Sequence, residues 1–253
     1  MKEVVVIGAG NLAWHLVQVL SKAGHDVSLI SRDPVCVAEW PVRVLSFEEL
    51  PKDPWLVFLA VPDDVINRVS AHLSQLLPSS IPVVHTSGAT PAIMIHSHFS
   101  KRGAFWPIRS LRAGEEVTGW QNVPLVYHGS DAALTQVLGE LAGKLSQLTY
   151  HLDDQQRAQL HLSAVFSNNF VTWLYQISYE LCEQGGIPFE VLLPIIRNTA
   201  LKQDGTAPGL TQTGAAARGD TTTMTRHLEL LSTQPEYADL YRRMSRFIQA
   251  GVE

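Results

Sequence analysis

The chain has 253 residues, 45% hydrophobic and 17% charged, with a formal net charge of −5 at pH 7. That length holds one large domain or two of ordinary size, and the scattered Lys and Arg residues form no basic stripe, which excludes nucleic acid as the main partner. Cys36 and Cys182 lack metal-ligand spacing, no apolar run approaches the length of a membrane span, and the N-terminus enters an apolar strand without a leader, so a cytoplasmic protein with reduced thiols is expected, with no membrane partner.

The chain opens on Val4-Val5-Val6-Ile7, an apolar run that breaks into Gly8-Ala9-Gly10-Asn11-Leu12-Ala13. It resumes with Leu12, Leu16, Val19 and Leu20 at helical spacing until Gly24. Strand, turn and helix follow in the order that a dinucleotide-binding motif requires. Gly8 allows the sharp turn, Gly10 lets the backbone approach a pyrophosphate, and small Ala13 lets the helix lie close to the strand. The phosphates then sit at the helix N-terminus, where unpaired N–H groups and the helix dipole favour negative charge. A second strand, Val27-Ser28-Leu29-Ile30, completes a βαβ unit and ends on Ser31-Arg32-Asp33. An acidic residue at this point holds the ribose hydroxyls of NAD, whereas a hydroxyl and a guanidinium suit the 2′-phosphate of NADP. The reading is NADP through Ser31 and Arg32; the alternative is a solvated Arg32 with Asp33 on the ribose.

Further along, Trp55-Leu56-Val57-Phe58-Leu59-Ala60-Val61-Pro62 is the continuous apolar run of a parallel strand buried on both faces. Its end, Ala60-Val61-Pro62, belongs at the carboxyl edge of the sheet, where ligands of open α/β sheets bind. Pro62-Asp63-Asp64 starts a helix that carries Val65, Ile66 and Val69. Another strand, Pro82-Val83-Val84, leads into His85-Thr86-Ser87-Gly88 at the same edge. Nicotinamide and substrate are expected to meet there, which makes His85 and Ser87 catalytic candidates and Gly88 a cofactor contact; the bland alternative is a polar turn. His96-Ser97-His98 has no accompanying Cys or carboxylate cluster and reads as a solvated loop, so no metal site is expected. Extended segments over 104–109, 124–127 and 149–152 and a helix over 132–145 complete this part of the chain.

Beyond about residue 153 the strands stop. Leu162, Val165, Phe166, Phe170, Trp173, Leu174, Ile177 and Leu181 predict one long helix over 158–182, with an apolar face wide enough for burial on more than one side. Gly185-Gly186 ends it, Pro188 begins another through Ile196, and 220–231 and 237–248 supply two more. The fold class is an α/β Rossmann domain with a doubly wound, mostly parallel sheet over 1–152, followed by an all-α domain over 153–253. The excess apolar surface of the long helix predicts a homodimer through the helical domain.

The order of Rossmann domain, long helix, Gly-x-Pro helix and Thr-rich helix start resembles pyrroline-5-carboxylate reductase and the wider 6-phosphogluconate dehydrogenase-like group. The chain is more specifically similar to a set of bacterial Rossmann-like NADP oxidoreductases with an uncharacterised C-terminal helical domain. That resemblance is carried by His85-Thr86-Ser87-Gly88, by Phe105-Trp106-Pro107-Ile108-Arg109-Ser110 and by Leu160-His161-Leu162-Ser163-Ala164-Val165-Phe166-Ser167-Asn168-Asn169-Phe170. Gln212-Thr213-Gly214-Ala215-Ala216-Ala217-Arg218-Gly219-Asp220, with His227, adds a fourth piece. It implies an NADP-dependent, dimeric oxidoreductase. Arg109 stands where the family usually has Gln, and Ala215 where it has Pro. Hydroxyacid dehydrogenases of the wider group carry a catalytic Lys three residues before an Asn pair, and here that position is Val165, which argues against Lys-assisted chemistry.

His161, Val165, Asn168 and Asn169 share one helix face. His161 is a candidate general acid and Asn169 a candidate holder of a carbonyl or carboxylate; the alternative is a packed histidine and an Asn pair that binds neighbouring backbone. Arg218 precedes a helix start whose free N–H groups suit a substrate carboxylate, unless Asp220 simply caps the helix and pairs with Arg218. The expected activity is NADP(H)-dependent reduction of a small C=O or C=N compound that bears a carboxylate. The runner-up is a ketopantoate-reductase-like 2-oxoacid reductase, and the competing class is a non-catalytic NADP(H) sensor. Predicted catalytic residues are His85, Ser87, His161, Asn169 and Arg218. Predicted cofactor contacts are Gly8, Gly10, Asn11, Leu12, Ala13, Ser31, Arg32, Ala60, Val61, Pro62 and Gly88.

Overall fold

A computed structural model describes residues 2–33, 37, 39–115, 119–203 and 205–252. The chain divides into two compact units, 1–168 and 169–253. Cys36 lies outside the described residues, and Cys182 is a half-buried free thiol.

The first unit is built on an eight-stranded sheet of β1 (Glu3–Ile7), β2 (Asp26–Ile30), β3 (Arg43–Leu45), β4 (Leu56–Leu59), β5 (Val83–His85), β6 (Arg102–Pro107), β7 (Leu125–Gly129) and β8 (Thr149–His151). Their spatial order is β3-β2-β1-β4-β5-β6-β7-β8. Every neighbouring pair is parallel except β6 and β7, which run antiparallel with Gly103 opposite Gly129 and Pro107 opposite Leu125. Successive strand residues point to opposite faces, so strands without polar residues must be covered on both. Val4 and Val6 of β1 and Leu56 and Phe58 of β4 join one core with Leu16 and Leu20 of α1 (Asn11–Lys22), while their alternates Val5, Ile7, Val57 and Leu59 join a second core with Ile66 and Leu73 of α2 (Ile66–Leu73). α3 (Ala132–Leu145) adds Leu138 to the first core. The expected doubly wound, mostly parallel sheet is the one observed. β3, only three residues long, is an edge strand that the sequence pattern did not predict.

The helix expected over 158–182 begins earlier and is interrupted. α4 (Asp154–Ala164) is followed by π-helical backbone over Val165–Phe170 and by α5 (Val171–Gln184). Its start is fixed by a capping box: the Gln156 N–H donates to the Asp153 carboxylate at 2.8 Å, and the Asp153 N–H donates to the Gln156 side chain at 3.1 Å. By packing, α4 belongs to the sheet unit, whereas the division at 152/153 marks where the strands end.

The second unit continues through a 3-10 turn (Phe189–Leu192), α6 (Leu193–Leu201), α7 (Thr221–Leu230) and α8 (Pro235–Val252). α8 is tied to α5 by a hydrogen bond from the Tyr237 hydroxyl to Glu180 at 2.5 Å and to α7 by His227 and Tyr241 at 2.8 Å. Among the described residues of this unit only Leu231, Ala238 and Ser245 are buried, while Trp173, Ile195, Leu201, Leu230 and Phe247 are more than half exposed. No helix among the described residues is long and apolar enough to cross a membrane.

Candidate functional site

The strand order reverses at β1, which has β2 on one side and β4 on the other, and the crevice outside the carboxyl ends of such strands is where open α/β sheets bind ligands. A cavity of about 930 Å³ lies there, large enough for a dinucleotide. Its walls include Gly8, Gly10, Asn11 and Leu12 from the first turn, Ser31 and Arg32 after β2, Ala60, Val61 and Pro62 after β4, and Ser87 after β5. Ala13 is fully buried behind them, where α1 lies against the sheet.

The two turn glycines have different causes. Gly8 has φ +120°, its N–H donates to the Ile30 carbonyl at 3.0 Å, and a Cβ there would overlap the Ala60 carbonyl. The fold itself therefore requires glycine. At Gly10 a Cβ would meet nothing within 4 Å, so no contact within the chain demands a missing side chain. Gly10 is the N-cap of α1, with no side-chain cap and no acidic residue in the first turn, which leaves the N–H groups of the helix start available to an anion. These residues fit a pyrophosphate. The Asn11 side-chain oxygen Oδ1 accepts from the Ala113 N–H at 3.0 Å, and His15 Nε2 is 2.8 Å from the Arg112 carbonyl, so the loop after β6 is anchored to α1. At the end of β2 the Ser31 hydroxyl is tied to the Asp33 backbone, donating to its carbonyl at 3.0 Å and accepting from its N–H at 3.2 Å, while Arg32 is exposed.

At the opposite end of the cavity the Ser87 hydroxyl donates to the Asp63 carboxylate at 2.5 Å and accepts from the N–H groups of Ala89 and Thr90 at 3.1 and 2.9 Å. The Thr90 hydroxyl donates to the same Asp63 oxygen at 2.9 Å. Arg157, fully buried on α4, donates to the Thr90 carbonyl and pairs with Asp154 at 2.8 Å, and Asp154 in turn accepts from the Ala92 N–H at 3.0 Å. The loop after β5 is thereby fixed from both sides. Gly88 in that loop is a packing glycine, because a Cβ there would overlap the His161 ring and lie 2.8 Å from the Trp106 ring. His161 and Trp106 stack at a tilt with centroids 5.4 Å apart. The structure thus brings His161 against Gly88, the residue that follows Ser87.

His85 is placed differently from expectation. It is fully buried as the last residue of β5 and is not part of the cavity wall. Burial, and then the Arg157 guanidinium, push its pKa down to about 4, so the ring is neutral near pH 7. Its Nδ1 accepts from the Ser87 N–H at 3.2 Å, which puts the ring proton on Nε2, the nitrogen left for the Pro91 backbone. Asn169 and Arg218 belong to the second unit, and both are exposed. Asp220 caps α7, accepting from the Thr223 N–H at 3.0 Å and hydroxyl at 2.8 Å; the Thr223 N–H foremost holds its carboxyl below the usual range. Among the described residues no group of three or more His, Cys, Asp or Glu is arranged to hold a metal. His98 is instead bound to the Leu77 carbonyl at 3.0 Å. No local sequence pattern marks Asp63, Thr90, Asp154 or Arg157 as site residues. The Asp153-x-x-Gln156 capping signature was the available signal for α4, and it would have put Arg157 inside a helix.

Comparisons with known proteins identify the same class of cofactor. Residues 1–87 match a family model described as "Putative NAD(P)-binding", and residues 123–248 match one described as "Domain of unknown function (DUF2520)". Over 178 residues the chain is 26% identical to the NAD(P)+ glycerol-3-phosphate dehydrogenase of Azorhizobium caulinodans, a match covering 61% of this chain and 54% of that protein. The chain thus spans about half the length of this curated relative. The crystal structure of a "putative NADP oxidoreductase" from Bacteroides fragilis is 29% identical with a TM-score of 0.89, covering 98% of each chain. An imine reductase from Myxococcus stipitatus in complex with NADP+ shares the fold, at 16% identity and a TM-score of 0.75 over 99% of this chain and 94% of that one. The N-terminal part is an NAD(P)-binding Rossmann domain, and the whole chain is similar to oxidoreductases of this build.

Proposed function

We propose that the protein is an NADP(H)-dependent oxidoreductase that reduces a small C=O or C=N compound bearing a carboxylate. The observation that carries this reading is the single cavity running from Ser31 and Arg32, past Gly8 and Gly10, to Asp63 and Ser87. Arg32 supports NADP over NAD, because an exposed guanidinium at the end of β2 suits a 2′-phosphate. The names of the similar structures point the same way: one is called a "putative NADP oxidoreductase" and another an imine reductase. When bound, the cofactor supplies the hydride. His161, packed at Gly88, is the proposed proton donor. The Ser87 proton is committed to Asp63, which suits Ser87 to holding the loop and accepting a substrate hydrogen bond. His85 is buried and neutral, and its proposed role is to position the Ser87 backbone. Asn169 and Arg218 are proposed to hold the substrate carbonyl and carboxylate.

We also propose a homodimer through the helical domain, supported by the exposed apolar residues of a unit with almost no buried core. NADPH oxidation measured with a panel of 2-oxoacids and cyclic imines tests the activity. Turnover of 2-oxoacids alone supports the ketopantoate-reductase-like alternative. NADPH binding without any turnover, together with altered association with another protein, supports the sensor reading that Val165 in place of Lys favours.

A further inference from the structure

We infer that Arg68 joins Arg32 in a two-guanidinium clamp for the 2′-phosphate of the cofactor, so that a residue of α2 helps to set NADP over NAD. The inference rests on reading the cleft as a dinucleotide site. Both side chains line the same cavity, Arg32 after β2 and Arg68 on α2. His72 lies one turn after Arg68 on the same helix face and packs edge-on against Phe47, with ring centroids 5.0 Å apart. Phe47, just beyond β3, also lines the cavity. The helix face of Arg68 therefore borders the β2–β3 end of the cleft, where Ser31 and Arg32 lie. The carboxylate of Asp63 is occupied elsewhere, by the hydroxyls of Ser87 and Thr90.

Both guanidiniums are exposed, and neither forms an ion pair or hydrogen bond among the described residues, where the ion pairs are Arg112–Glu115, Arg157–Asp154 and Arg243–Asp239. Asp33 and Asp63 also line the cavity, but among the described residues neither pairs with Arg32 or Arg68, and two unpaired guanidiniums favour an anion more strongly than either alone. The pyrophosphate has its own place at the turn and the start of α1. The two guanidiniums at this end thus match a phosphate monoester, whose oxygens accept from two Arg forks.

The test is calorimetric titration of the full chain with 2′,5′-ADP, 5′-AMP, NADPH and NADH, for the unmodified protein and for Arg68→Ala, Arg68→Lys and the double variant Arg32→Ala, Arg68→Ala. Arg68→Ala is expected to weaken 2′,5′-ADP by about tenfold while 5′-AMP changes by less than about twofold. Arg68→Lys should retain part of the difference as a point charge, and the double variant should bind NADPH and NADH alike. Equal loss for 2′,5′-ADP and 5′-AMP would mean that Arg68 stacks on the adenine, and no loss for either would mean that it faces solvent; each overturns the clamp while leaving the dinucleotide site intact. An unmodified protein that binds neither NADPH nor NADH overturns the dinucleotide reading, and the clamp with it.

Discussion

Replacing Gly10 with Ala separates what the fold needs from what a ligand needs. A Cβ at this position meets nothing within 4 Å, and its φ of −86° is open to any residue. Two terms act on stability with opposite sign. Ala is a poorer N-cap than Gly, at a cost of about 0.5–1 kcal/mol, and it restricts the unfolded chain, a gain of about 0.4–1 kcal/mol. The net change should lie within about 0.5 kcal/mol, which is about 1–2 °C in Tm. Ligand linkage behaves differently. At a hundredfold excess over Kd, a cofactor stabilises the native state by about 2.7 kcal/mol, which corresponds to a rise of roughly 5–10 °C. Thermal unfolding by circular dichroism, with and without NADPH, should give the variant an unaltered Tm alone but little of the NADPH-induced rise. A variant that keeps the full rise would refute the assignment of this turn as the pyrophosphate cradle. A variant that loses several degrees without any ligand would show that Gly10 serves packing after all.

Gly88→Ala should destabilise the protein by about 1–3 kcal/mol, because its Cβ overlaps the His161 ring and crowds Trp106; an unchanged Tm would contradict the packing role. In steady-state assays His161→Ala should lower turnover and leave NADPH affinity nearly unchanged, and equal losses in both would remove His161 from the proton-donor role. His85 has a folded pKa of about 4, below its unfolded value near 6.5, so the unfolded state binds more protons between these two limits. Its contribution to stability is therefore complete above about pH 6.5 and falls as the pH drops toward 4, by on the order of 3 kcal/mol. His85→Gln should flatten that part of the Tm profile, and a profile of unchanged slope would count against the buried neutral ring. Light scattering at micromolar concentration should give twice the chain mass of 27.9 kDa, and a monomer mass would remove the dimer.

What could be read from sequence, and what could not, follows from what periodicity reports. A strand covered on both faces has no polar residue to show, so Val4-Val5-Val6-Ile7 and Leu56-Val57-Phe58-Leu59 declared both their existence and their parallel neighbours. Three residues of β3 are too few to alternate, and six residues of π-helix do not differ in pattern from an α-helix, so neither was visible. Pairings between distant residues leave no periodic trace. Ser87 with Asp63 and Thr90 with Arg157 join segments 24 and 67 positions apart, and Arg157 on its own reads as a solvated helix charge. The glycines make the point most sharply, because Gly8, Gly10 and Gly88 are alike as letters. Gly8 is explained by its backbone angle and the Ala60 carbonyl, and Gly88 by the His161 and Trp106 rings. Gly10 alone has no explanation inside the described chain. A glycine that the fold does not need, at a helix start with its N–H groups free, is the structural trace of something that is not protein, and it lies in the wall of the same cavity as Arg32 and Arg68.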